Sequence, residues 1–501
     1  MSAPSSFKQI LRSSTLVGGS SVLTVSLGIV RTKILALIVG PDGIGLYGIL
    51  YSLCGFASAV ASFGLQSSGV RQIAAAEACS DTRKLATVTR TLLTMLWAFG
   101  TIATAVIYFA APQISLFTFG SAERAGDTAL LSVSVLLTVV AAAGVAVLQG
   151  TRRVAQLASM NIVAALVATG SASLAAWLFP DRGVVLFLIC VSASTAIVSL
   201  AYAHRFARSL HVEVPLWNWT EARPLLLLGF AFMASAMMTN GVAYFARTFV
   251  VRALGIEAAG LFQAAWMISS VYVGFILTAM AADYFPRLTA AQDNRSTMNR
   301  LVNEQTEVAL LLAGPGVLLT ITLAPYLLGL LYSSDFQAAA DVLRWQSLGV
   351  FGRVLSWPMG YVLLARNSIR LFLITELLST AVHIGLIYLG ILTLGFQGLG
   401  VAFFGLYVVY TLMILFVINR ETGFRWSRRV CWIAFGSAIA LTLTFSASTI
   451  LKSNMLRLLV PLSIALCSGV CCLWVLWRIN EASEFTPAQR IAKVFRLSSR
   501  G

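Results

Sequence analysis

Charge is what this sequence has least of. Asp, Glu, Lys and Arg make up 11% of its 501 residues, against about 25% in an ordinary soluble domain. A chain that is 58% hydrophobic cannot cover its surface in water, so an aqueous globular fold is excluded and lipid is the natural solvent. Acids are the scarcer sign: 19 Asp and Glu stand against 35 Lys and Arg, for a net charge of +16. None of those acids falls inside the first six long apolar runs. In a soluble protein such an excess of bases points to nucleic acid. Here the bases lie between apolar runs, which is the positive-inside pattern of a membrane protein, and no nucleic-acid partner is expected.

Other absences narrow the chemistry. The seven cysteines show neither zinc-site nor disulfide-framework spacing, so no metal and no cofactor is expected. No G-x-x-x-x-G-K-[ST] stretch is present, which excludes ATP hydrolysis at a P-loop. Gly43–Gly48 fits G-x-G-x-x-G, but a dinucleotide site needs a strand before it, and a membrane run stands there instead. The longest connections, near 204–224 and 286–305, leave no room for a catalytic domain outside the lipid, so the chain is not expected to be an enzyme. The first apolar run is too long, and too charged at Arg31 and Lys33, for a cleaved signal peptide.

What is present is a succession of apolar runs. A spanning helix needs about 20 apolar residues, and about fourteen such runs can be marked, from 14–39 and 44–67 to 430–451 and 457–478. Lys and Arg divide between the two sides about 25 to six, which places both termini in the cytoplasm. The larger share includes Lys8, Arg12, Arg71, Arg152, Arg287, Arg420 and the tail arginines; the smaller includes Arg124, Arg182 and Lys452.

The runs repeat. The stretch from Leu27 to Gly48, LGIVRTKILALIVGPDGIGLYG, returns half a chain later as VAYFARTFVVRALGIEAAGLF, from Val242 to Phe262. An offset of 215 carries Gly45 to Gly260, Gly183 to Gly398 and Asn161 to Glu376; an offset of 216 carries Thr24 to Asn240, Arg31 to Arg247 and Arg71 to Arg287. Runs 1–6 thus map onto runs 7–12, and an even repeat puts both copies into the membrane in the same sense. The expected fold is an all-α integral membrane protein of about 14 helices, with two parallel-repeat six-helix lobes around a central cavity and two further C-terminal helices. The boundaries read as a cytoplasmic N-terminus at 1–13, an N-lobe at 14–210, a cytoplasmic linker at 211–224, a C-lobe at 225–420, helices 13 and 14 at 421–478 and a basic cytoplasmic tail at 479–501.

Few polar residues interrupt the spans, and those few are the candidates for function. A central arginine costs about 2.5–3.5 kcal/mol even on the mild insertion scale, and such residues usually face protein interior or water. Ser20, Thr24 and Arg31 share one helical face, as do Asn240 and Arg247. Two arginines at matched depth, with small polar neighbours, suit a phosphate or carboxylate, because guanidinium donors meet anionic oxygens in pairs. Lys33 is read as snorkelling to the headgroups. Arg353, in run 10, is a third cavity candidate. Glu376 and His383 lie seven apart in run 11 and suit either ion coupling or a hydrogen-bonded structural role. Asp283 ends run 8, four residues before Arg287, and reads either as part of a polar cluster at the cytoplasmic mouth or as one half of a local ion pair.

VRTKILALIVGPDGIGLYG, followed by GLQSSGVRQIAAAE, LQGTRRVAQLASMNIV and ADYFPRL, resembles the bacterial O-antigen translocases. These are Wzx-type lipid-linked oligosaccharide flippases of the multidrug/oligosaccharidyl-lipid/polysaccharide exporter superfamily. The resemblance runs from about residue 8 to 420. It implies a bacterial inner-membrane protein that moves an undecaprenyl-diphosphate-linked oligosaccharide to the periplasmic leaflet by alternating access, for O-antigen or exopolysaccharide synthesis. Arg31 and Arg247 would meet the diphosphate. A polysaccharide polymerase and a chain-length regulator would be neighbours, and membrane lipids the surroundings. Two alternatives stand beside it. A multidrug or cation antiporter of the same superfamily would call for acids in the first lobe. A membrane polysaccharide polymerase would call for a catalytic loop.

Overall fold

In a computed structural model the chain is helical throughout its regular structure. It describes residues 3–484 apart from 211, 213 and 452, and side chains between 19 and 478 apart from 209, 211, 213, 272, 275, 279, 282, 369, 452 and 454. The side chains of 1–13, including Lys8 and Arg12, the tail from 485 to 501, the side chains of 479–484, and Lys452 lie outside the described residues. Among the described residues, 12 helical stretches are long and apolar enough to cross a membrane. Two of them, Gly19–Ala61 and Arg370–Thr422, are 43 and 53 residues long, against about 20 for one pass. The first is broken at Gly40 and the second at a one-turn 3-10 helix, Gly395–Gln397. Each therefore supplies two helices, in agreement with the fourteen runs read from the sequence.

The chain divides into two compact units. The first comprises 1–264 and 329–336. It holds α1 (Ala3–Ala61), α2 (Leu65–Ala78), α3 (Thr82–Phe109), α4 (Ala111–Phe119), α5 (Ala125–Gly150), α6 (Val154–Leu178), α7 (Gly183–Ser209), α8 (Trp219–Leu254) and the start of α9 (Ile256–Ala290). Helix α8 packs on α1, α2, α3 and α4 and so groups with the helices of the first repeat. At the centre stands α5, in contact with α1, α2, α3, α6 and α7. Its small residues allow close approach, the usual basis of helix contact in lipid. Gly144 admits Ser199 of α7, whose hydroxyl donates to the Ala141 carbonyl at 2.6 Å.

The sequence places a four-residue turn at Gly40–Gly43. The structure compresses it to one residue: Gly40 takes φ 63°, ψ −167°, and the helix restarts at Pro41. A side chain at such a φ is strained, and proline at a helix start loses no hydrogen bond. The run at 44–67 is likewise interrupted, because Phe63 and Gly64 have positive φ and hand the chain from α1 to α2. The second copy, α9, runs unbroken through the corresponding positions.

A reciprocal contact records the duplication. A methyl group added to Gly45 would collide with the carbonyl oxygen of Ile256, and one added to Gly260 with that of Pro41. The offset of 215 that relates Gly45 to Gly260 also relates Pro41 to Ile256. The two copies of one helix start cross glycine against backbone, each in the role of the other.

The second unit comprises 265–328 and 337–501. It holds the rest of α9, most of α10 (Arg295–Leu331), α11 (Ala340–Ala365), α12 (Ile369–Leu394), α13 (Gly398–Thr422), α14 (Arg428–Ile450) and α15 (Asn454–Glu484). Helices α11 and α13 form its tightest pair, with Gly349 and Gly352 admitting Phe403 and Tyr407. One apolar cluster includes Val273, Leu310, Val317, Val350, Phe403 and Leu441; another gathers Tyr284, Leu288, Met359, Ile414 and Phe424.

Candidate functional site

The first unit brings Arg31 and Arg247 to one tyrosine. Arg31 comes from the first half of α1. Tyr47 and Tyr51 come from the second half, one turn apart and stacked at 5.8 Å between ring centroids. The break at Gly40 permits both halves of one helix to contribute. Arg31 lies over the ring of Phe187, from α7, at 5.9 Å, and the same ring meets Tyr47 edge-on at 5.7 Å. Arg247 comes from α8. Tyr47 lies within electrostatic reach of both Arg31 and Arg247, and Tyr51 within reach of Arg247.

Arg247 is half-buried and held from two sides. Its Nε donates to Oε1 of Gln263 at 3.0 Å, and Nη1 donates to the Ala243 carbonyl at 3.1 Å. Gln263, at the start of α9, is buried and rests in the space left by Gly48. A guanidinium carries five N–H donors, and two are engaged here. Arg31 is less satisfied: its Nε is buried without a hydrogen-bond partner. Neither arginine is in an ion pair among the described residues. Two cations in a low-dielectric setting, without a carboxylate to balance them, are costly. An anion bound beside them would recover that cost through paired charge-assisted hydrogen bonds.

Thr24 and Asn240 serve their own helices, and Lys33 reaches a carbonyl of α10. The Thr24 hydroxyl donates to the Ser21 carbonyl at 3.0 Å, and the Asn240 amide donates to the Ala236 carbonyl at 2.9 Å. Lys33 donates to the Leu330 carbonyl at 2.5 Å. Sequence reasoning missed Tyr47, Tyr51, Phe187 and Gln263. A signal for the tyrosines was available in their four-residue spacing. Nothing local marks Gln263, whose role depends on a helix crossing.

In the second unit, Arg353 of α11 and Glu376 of α12 line one cavity of about 280 Å³, together with Trp357, Tyr407 and Tyr410. The Tyr410 hydroxyl donates to Oε1 of Glu376 at 3.2 Å. Arg353 and Glu376 do not form an ion pair among the described residues. His383, seven residues further along α12, packs against the ring of Phe403 at 6.2 Å. Asp283 pairs with Arg287 at 3.1 Å, both well exposed, which is the local alternative the sequence offered. Such exposed pairs contribute little to stability. Among the described residues, no group of three or more His, Cys, Asp or Glu is arranged to hold a metal ion.

Twelve long apolar helical stretches among the described residues, in a duplicated order, define a multi-pass integral membrane protein. Residues 34–341, more than half of the chain, match the polysaccharide biosynthesis protein family, and the chain belongs to that family. The chain is 24% identical over 404 residues to the lipid III flippase of Escherichia coli (strain K12), covering 80% of this chain and 96% of that one. Its fold is similar to that of the lipid II flippase MurJ in an inward closed conformation. There the TM-score is 0.71 at 14% identity, over 93% of this chain and 99% of the other. An inward-facing multidrug resistance MATE family transporter of the MOP superfamily is similar with a TM-score of 0.62 at 17% identity, over 81% and 95% of the two chains.

Proposed function

We propose that this protein is a flippase: it moves a polyprenyl-diphosphate-linked oligosaccharide from the cytoplasmic to the periplasmic leaflet of a bacterial inner membrane. The observation that carries this reading is the arginine pair. Arg31 and Arg247 occupy equivalent positions of a duplicated module, share one tyrosine and form no ion pair among the described residues. A lipid diphosphate brings the missing anion and keeps its chain in the bilayer. Alternating access is the mechanism proposed, with Thr24 and Asn240 as further substrate-binding candidates. A polymerase and a chain-length regulator are the proposed neighbours, and O-antigen or a related surface polysaccharide is the proposed product. Glu376 is the proposed coupling residue, with His383 and Asp283 as secondary candidates. Family membership and the likeness to named flippases support the reading.

Deleting the gene in its host and following radiolabelled sugar in the polyprenyl-diphosphate pool tests the function. Lipid-linked oligosaccharide is expected to accumulate on the cytoplasmic leaflet and to clear when the wild-type protein is restored. An unchanged pool together with reduced dye efflux would transfer the assignment to a multidrug antiporter. Orientation has its own test. Cys79 is exposed on the connection assigned to the cytoplasm. With the other cysteines replaced, a membrane-impermeant maleimide is expected to label it in inside-out vesicles and not in intact cells. Labelling in intact cells would reverse the topology.

A further inference from the structure

The cavity of the second unit differs in chemistry from the arginine pair of the first. It holds a cation, Arg353, and a carboxylate, Glu376, with the hydroxyls of Ser356 and Ser379 and the rings of Trp357, Tyr361, Phe372, Tyr407 and Tyr410. The rings are close: Trp357 and Tyr361 stand 4.7 Å apart, and Tyr407 and Tyr410 6.2 Å. The Arg353 side chain is half-buried and makes no hydrogen bond or ion pair among the described residues. The Glu376 carboxylate takes one hydroxyl, from Tyr410 at 3.2 Å, and a carboxylate has about four lone-pair sites. Donors and acceptors of both signs therefore remain open inside an aromatic wall.

A diphosphate fits this cavity poorly, because the carboxylate repels it. A purely apolar tail fits poorly too, because it would leave Arg353 and Glu376 unsolvated. A neutral polyol with one apolar face fits on every count. Its ring C–H face lies on aromatic rings, and neighbouring hydroxyls bridge the guanidinium and the carboxylate, each donating to Glu376 or accepting from Arg353. The volume of about 280 Å³ is at or below the lower end for drug-sized ligands, about 300 Å³, and suits a single ring rather than a chain. We propose that this cavity is a saccharide subsite, holding one sugar ring of the transported headgroup on residues of the second unit alone. The inference rests on the flippase reading and adds that the protein reads sugar as well as diphosphate. Selection follows from it: a site whose buried polar groups need hydroxyl partners rejects an analogue that lacks them.

The test compares two lipids in detergent solution by native mass spectrometry: undecaprenyl diphosphate, and undecaprenyl diphosphate carrying one N-acetylglucosamine. Wild-type protein is expected to bind the glycosylated lipid more tightly by about tenfold, the scale of one charge-assisted hydrogen bond. Arg353→Lys, which preserves charge, is expected to erase that preference while holding affinity for the bare diphosphate within about twofold, and Glu376→Gln, which preserves shape, is expected to erase the preference as well. A merely structural role would weaken both lipids together and leave the ratio intact; that result overturns the subsite. Wild-type protein that prefers the sugar while neither variant changes the ratio overturns the subsite and leaves the flippase standing. Wild-type protein that binds neither lipid overturns both.

Discussion

Arg31→Met is expected to abolish transport while leaving the protein as stable as before, or more so. The two halves of this result have different causes. Arg31 has a buried Nε without a partner and, among the described residues, a cation–π contact to Phe187. Replacing an uncompensated buried charge by an apolar side chain of similar length removes a desolvation cost, and such replacements are often neutral or stabilising. Transport loses the opposite way. If the guanidinium meets a diphosphate, its removal leaves a desolvated anion unpaired, a loss of about 2–5 kcal/mol and so roughly 1.5 to 3.5 orders of magnitude in rate or affinity. Arg247→Met is expected to lose transport equally but also to lower stability by about 1 kcal/mol, because Gln263 then keeps a buried acceptor with nothing to accept from. Labelled-lipid translocation into proteoliposomes and thermal unfolding of the purified variants measure the two effects side by side. Transport that survives Arg31→Met, or a melting temperature that falls in step with transport, would return Arg31 to a structural role.

Much of this architecture was legible because lipid simplifies the reading. Each crossing demands about twenty apolar residues, so a run such as 430–451 announces α14, Arg428–Ile450, to within two residues at either end. The duplication was legible from Arg31 and Arg247 and from Gly45 and Gly260, which keep their spacing within one residue. Breaks inside runs were not legible. Composition averages over a window and does not register one left-handed residue at Gly64 or a helix restart at Ala111. The candidate site divided along the same line. Charged residues in a span stand out by their cost, so Arg31, Arg247, Arg353 and Glu376 are candidates on the sequence alone. Neutral partners do not stand out. Gln263 reaches Arg247 only because Gly48 leaves it room, and Tyr410 reaches Glu376 only through the contact of α12 with α13. Both are consequences of helix crossing, which a periodicity does not encode.

The crossing of glycine against backbone near the start of α9 carries the second large expected effect. Gly45→Ala and Gly260→Ala each force a methyl group into a backbone carbonyl, that of Ile256 in one case and Pro41 in the other. A side chain can turn away from an intruding methyl; a carbonyl held in a helix cannot, so each substitution is expected to cost about 3 kcal/mol, the upper end for overpacking. Because the contact is reciprocal, one small separation of the two helices relieves both collisions. The double variant is therefore expected to cost clearly less than the sum of the singles, the sign of two residues acting at one contact. Gly170→Ala is the control. Nothing lies within 4 Å of its added methyl, and alanine in a helix gains up to about 1 kcal/mol over glycine, so its melting temperature should hold or rise. The separation also has a functional consequence. It draws Gln263 away from Gly48 and loosens Arg247, so the glycine variants should lose transport beyond what reduced folding explains. Thermal unfolding of the two singles, the double and the control decides the point. Strict additivity would mean that the collisions are independent and that the duplicated crossing is not one mechanical contact. Singles as stable as the control would mean that the helices do not meet there at all.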